Sequence, residues 1–196
     1  MHRPYTNLMA PKSSLSPDEI LKAEYTYIAD TVFQANEDRS RATSFYLLTF
    51  SSFIAAILSY QFDKSLNGNW VDWGFFALFI VLAFMGLLTV LQLARLRLAW
   101  YDSVQALNQI KDYYIEYNDG LEKAFSWRGV TAKKFKWKSV GFMLVVQVSI
   151  LGGAALGAAI FFLVRAVSGN VLFLPSIAGG TVFLLWQLDL YRNNLK

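Results

Sequence analysis

Four blocks of apolar residues constrain this chain more than any other feature: Ala42 to Phe62, Gly74 to Ala94, Val140 to Val164 and Val171 to Leu188. Each meets or nearly meets the roughly 20 apolar residues that a helix needs to cross a hydrocarbon core of about 30 Å. The chain is 55% hydrophobic with a mean hydropathy of +0.35, and its apolar residues fall in blocks rather than at amphipathic spacing, which places it outside the soluble class. The expected fold is an all-α integral membrane protein with spans near residues 42–62, 74–94, 140–164 and 171–190, arranged as two hairpins. No removable signal peptide is expected, because the first 41 residues hold no apolar core of the right length.

Basic residues set the expected orientation. Sixteen of the 18 Lys and Arg lie before Ala42, between Arg95 and Lys138, or after Asp189, and only Lys64 and Arg165 lie on the other side. The positive-inside rule then puts both termini and the central segment in the cytoplasm. The far-side connections, Asp63 to Trp73 and Arg165 to Asn170, are too short for a ligand-binding domain. The net charge of +4 arises largely from membrane-flanking residues and is no sign of nucleic-acid binding.

The second span has no helix-breaking residue at its end. From Leu93 a three-four spacing runs through Leu96, Trp100, Ser103, Leu107, Ile110, Tyr114, Tyr117 and Leu121, one stripe of a long helix interrupted only by Ser103. Arg95, Arg97, Asp102, Lys111, Asp112, Glu116 and Asp119 lie between these positions and read as a wet face. The stretch Leu93 to Leu121 would be roughly 43 Å long, more than the membrane needs, so residues 95–123 are expected to form a cytoplasmic stalk. Its stripe from Trp100 to Leu121 is the candidate assembly surface.

Residues 1–15 read as a tail without periodicity. A helix over 16–41 then starts with Ser16 as N-cap, Pro17 at the first position, Glu19 completing a capping box and Leu15 with Ile20 as an apolar staple. Leu21, Tyr25, Ile28 and Val32 form a stripe whose expected partner is the stalk. Glu37, Asp38, Arg39 and Arg41 read as a solvated collar at the membrane entry.

Small residues mark expected helix packing in the spans: Ser51, Ala55 and Ser59 in the first, and Ser149, Gly153 and Gly157, a GxxxG core, in the third. Ser52 and Ser59 are the candidates for lining a pore, against the alternative that their hydroxyls bond their own helix. Pro175, Gly179 and Gly180 are expected to bend or loosen the fourth span. Gln92, Gln147 and Gln187 offer a hydrogen-bonded layer.

The re-entry segment 124–139 is basic and aromatic. Arg128, Lys133, Lys134, Lys136 and Lys138, with Trp127 and Trp137, suit anionic lipid at a membrane interface, whereas the adjoining acidic stalk disfavours nucleic acid. Chemistry-bearing motifs are few: there is no cysteine, the single histidine is His2, and no Walker loop or HExxH occurs. A non-enzymatic protein without catalytic residues, metal site or cofactor is expected.

A cytoplasmic helix entering a membrane hairpin through the collar Ala35 to Tyr46 (ANEDRSRATSFY), followed by a long helix returning toward the membrane, resembles the small SLATT-type membrane proteins of bacteria over Leu21 to Lys123. The resemblance implies an oligomeric effector of the bacterial inner membrane, of the kind thought to act in nucleotide-signalled anti-phage systems. This chain adds a second hairpin to the usual two spans. The expected function is a homo-oligomeric, membrane-perturbing or pore-forming effector governed by its cytoplasmic helices. The alternative is a non-conducting scaffold that holds a cytoplasmic protein partner at the membrane.

Overall fold

The computed structural model describes residues 16–61, 69–117, 123, 125, 133–169 and 173–196. The tail 1–15 and the turn expected around Asn67 and Gly68 lie outside the described residues. Four helices make up the fold: α1 (Pro17–Gln61), α2 (Asn69–Tyr117), α3 (Val140–Ser168) and α4 (Phe173–Asn194). By length and composition all four are long and apolar enough to cross a membrane.

The expected division of the first helix at residue 41 is not a structural boundary. α1 runs unbroken for 45 residues because nothing after Pro17 stops it: no glycine or proline follows, and the collar residues are compatible with helix. Ser16 and Glu19 form the expected capping box, with Glu19 N–H donating to Ser16 Oγ and Ser16 N–H to Glu19 Oε2, both at 3.2 Å. Arg41 pairs along the helix with Glu37 at 3.2 Å and Asp38 at 3.9 Å, a solvent-exposed set of little energetic weight. At 1.5 Å per residue α1 and α2 would be about 68 and about 74 Å long, each over twice a hydrocarbon core.

α1 and α2 lie antiparallel along their length. Beyond the apolar blocks, Thr31 Oγ1 donates to Ser103 Oγ at 3.4 Å. Ser103, the one polar break in the α2 stripe, thus meets the other helix at a polar residue, and α1 is the partner expected for the stalk. Within the apolar blocks Tyr46 is wholly buried and its hydroxyl donates to Leu82 O at 3.3 Å. Gly86 makes room for this: a Cβ there would lie 2.7 Å from Tyr46 Oη and 3.3 Å from Gly152 Cα. Helices α1, α2 and α3 therefore converge on Gly86.

α3 begins at Ser139, whose Oγ accepts from Phe142 N–H, and ends at Gly169, whose φ of 67° fits the left-handed cap that glycine adopts without strain. The helix thereby extends a turn past the expected end and includes Arg165. α3 and α4 meet through small residues. A Cβ on Gly153 would stand 2.8 Å from Gly180 O, and one on Gly157 would stand 2.9 Å from Ser176 O. Such backbone approach is how helices attract one another where lipid removes the hydrophobic drive.

The fourth helix differs from expectation. It is uninterrupted, because Pro175 sits in the first turn, where its missing N–H costs nothing, and Gly180 serves close packing against Gly153 instead of loosening the helix. Two apolar clusters fill the bundle. One joins Tyr46, Val90, Leu93, Val145, Val148 and Tyr191; the other joins Ile57, Phe79, Leu82, Ala155, Ala159 and Phe162.

Candidate functional site

At the level where the apolar blocks of α1 and α2 end, the two helices part around a cavity of about 550 Å³, with the start of α3 as its third wall. Five cationic side chains line it, Arg39 from α1, Arg97 and Lys111 from α2, and Lys133 and Lys136 from the segment before α3. Among the described residues that border it there is no carboxylate.

The two arginines are not on the wet faces to which their charge assigned them. Each is only 7% exposed. Arg39 occupies the inward face of α1 that Ala35, Thr43 and Tyr46 also occupy, all buried. Its Nε donates to Ala35 O at 3.3 Å and its Nη2 to Asn36 Oδ1. Gly141, in the first turn of α3, leaves room for the guanidinium, since a Cβ there would lie 2.8 Å from Arg39 Nη1. Arg97 continues the inward face of Val90, Leu93 and Ala94 on α2. Its Nε donates to Lys134 O at 2.9 Å and its Nη2 to Lys133 O at 2.8 Å, which ties the re-entry segment to α2.

Trp100 faces both groups, with Arg97 Cζ 4.1 Å and Arg39 Cζ 5.9 Å from its ring centroid. Both arginines lie outside the apolar blocks. Burial, and for Arg39 also the charge of Arg97, holds the guanidinium below the ordinary arginine value, yet such a group stays protonated at any physiological pH. Neither has a carboxylate within ion-pair distance among the described residues. The N-terminal end of α3, with its partial positive charge, adds to the same field. The chamber is a concentrated, partly desolvated positive potential bordered by no carboxylate among the described residues.

The residues singled out from sequence fall into several places. Of the basic segment, Lys133 and Lys136 border the chamber. Lys134 lies over the Tyr101 ring at 5.8 Å, Lys138 is exposed, and Trp137 stays 62% exposed while packing edge-on against Phe135 and Phe142. Trp127, Arg128 and Leu121 lie outside the described residues. Of the assembly stripe, Trp100 and Leu107 line the chamber, Ile110 and Tyr114 are half-buried, and Tyr117 is exposed.

Ser149, Gly153 and Gly157 lie on the inner side of α3, two of them buried. Ser51, Ala55 and Ser59, by contrast, are exposed on α1, as is Ser52. The three serine hydroxyls donate to carbonyls one turn back at 2.7–2.9 Å, so they pack against no other helix of this chain. The three glutamines form no common layer: Gln187 is fully buried, whereas Gln92 and Gln147 are exposed.

At the opposite end, Arg165 does not reach outward as a helix-end residue. Its Nε donates to Asp72 Oδ1 at 2.8 Å, and Asp72 is 8% exposed. The arginine chamber, Asn108 and this pair escaped sequence reasoning. The signal for Arg39 was available, because the stripe of Ile28 and Val32 continues through Ala35 to Arg39 at helical spacing.

Among the described residues, no three His, Cys, Asp or Glu side chains are grouped so as to hold a metal ion. The described polar lining of the chamber is cationic or neutral, with no carboxylate. Comparison with family models, with curated proteins and with solved structures finds no match.

Proposed function

We propose that this chain is a four-span membrane protein, two hairpins with both termini and the paired outer helices on the cytoplasmic side, that assembles into a homo-oligomer and acts as a non-enzymatic, membrane-perturbing or pore-forming effector. One observation carries the reading. Outside the apolar blocks, after α1 and α2 have packed together, Tyr25, Tyr27, Phe33, Tyr113 and Tyr117 remain 38–69% exposed. Aromatic residues left uncovered in water mark an interaction surface, and a second copy of the chain covers them symmetrically. The distribution of basic residues supports the orientation, and the layout shared with SLATT-type bacterial proteins supports an effector of the inner membrane.

A conducting path within one copy is blocked by Tyr46, Leu82, Val90, Val145 and Val148, all fully buried, so a pore would form between copies. The second reading is a non-conducting scaffold that binds a cytoplasmic protein. The self-bonded hydroxyls of Ser52 and Ser59 favour it, since each already has a partner in its own helix.

The deciding experiment pairs the native mass of the detergent-solubilised chain with dye release from liposomes that contain it. A defined higher oligomer that leaks, and that dissociates on Tyr27→Glu with Tyr117→Glu, supports the effector. A monomer that keeps liposomes sealed sinks it and directs attention to a partner of the outer helices.

A further inference from the structure

The chamber between Arg39 and Arg97 also holds a polar group with no partner. Asn108 is 5% exposed, borders the cavity, and has no hydrogen bond to any described residue. Its amide is open to the chamber and free to bond whatever occupies it, beside two guanidinium groups that have no carboxylate within ion-pair distance among the described residues.

We infer that the chamber binds a phosphate-bearing anion. The Nε and Nη2 donors of both arginines are held by protein acceptors, which fixes the guanidinium planes and leaves the Nη1 donors for phosphate oxygens, and the Asn108 amide adds donors and an acceptor beside them. Lys133 and Lys136, both exposed, add charge at its border. The volume of about 550 Å³ lies within the range of ligand pockets and leaves room for an organic group beside the phosphate. A membrane lipid headgroup and a soluble phosphate ester share this chemistry. The site joins α1, α2 and α3, so its occupant ties together the two outer helices and the start of the second half of the chain. The inference does not depend on whether the assembly conducts.

The full chain in detergent is titrated with sodium pyrophosphate at constant ionic strength while tryptophan fluorescence is followed, Trp100 lying at the site. In parallel it is reconstituted in phosphatidylcholine nanodiscs with and without phosphatidic acid, and retained lipid is counted by native mass spectrometry. Saturable binding of one equivalent per chain is expected in at least one arm: pyrophosphate binding identifies a soluble ligand, and retention of phosphatidic acid alone identifies a lipid headgroup. Lys133→Gln with Lys136→Gln, which touches exposed residues, should weaken binding by about tenfold or more. Asn108→Leu should also weaken it while leaving the helix content intact, because it removes a chamber-facing amide that bonds no described residue. Absence of saturable binding in both arms, or binding unchanged in both variants, would overturn the inference.

Discussion

Arg165 Nε donates to Asp72 Oδ1 at 2.8 Å across 93 residues of chain, fastening the start of α2 to the last turn of α3. Asp72 is 8% exposed, whereas the arginine side chain is 41% exposed, so solvent screens part of the attraction. Asp72→Ala should cost about 1–2 kcal/mol, less than a fully buried pair would. The exchange Asp72→Arg with Arg165→Asp should recover part of the loss. Thermal melts of the purified variants in one detergent check this, and a double variant no better than the single ones would refute the pairing as a source of stability.

The seam between α3 and α4 tolerates no added carbon. At Gly180 a Cβ would lie 2.6 Å from Gly153 O, a backbone atom that moves only if the helices separate. Gly180→Ala should therefore destabilise the bundle by about 1–3 kcal/mol. Gly74→Ala is the control, because nothing lies within 4 Å of its Cβ position, and it should be neutral or stabilising by up to about 1 kcal/mol. Equal melting temperatures for the two variants would contradict the packing described.

Gln187 is wholly buried against Gly152, and neither its Nε2 nor its Oε1 has a hydrogen-bond partner among the described residues. Gln187→Met conserves shape and removes the unpaired amide. An unchanged or raised melting temperature is expected. A fall of several degrees would mean that the amide is bonded in the assembled protein.

Arg97 secures the segment before α3 through two donated bonds to backbone carbonyls, at 2.8 and 2.9 Å. Lysine has a single compact head in place of a fork and cannot make both at that geometry. Arg97→Lys should speed tryptic cleavage between Lys133 and Lys138 severalfold, read by mass spectrometry of a limited digest, while leaving the helix content by circular dichroism unchanged. An identical digest would show that the segment is held by other contacts.

The helices were legible in the sequence because apolar block length is a local signal. The capping box at Ser16 and the small-residue seam of Gly153 and Gly157 were legible for the same reason, being patterns within a few turns. The chamber was hidden by a conflict between two rules. Helical spacing carried the stripe of α1 through Arg39 and that of α2 through Arg97, whereas charge assigned both residues to water, and arginine is so seldom buried that charge weighed more. Arg165 read as a basic residue on the far side and Asp72 drew no reading, because their pairing depends on the antiparallel placement of α2 and α3. The serines of α1 read as packing residues because spacing identifies a face without saying what lies opposite.

Neither α1 after Pro17 nor α2 after Gly86 contains a glycine or proline. Each therefore passes from the apolar region into the outer pair as a rod without a joint, gripped near the crossing by Arg39, Arg97 and Trp100. With no glycine or proline between them, the outer and apolar ends of each rod are mechanically joined, and the exposed serine face of α1 lies on the joined apolar end. The chamber lies between the outer and apolar ends of both rods, so an occupant there would touch each rod where its two parts meet.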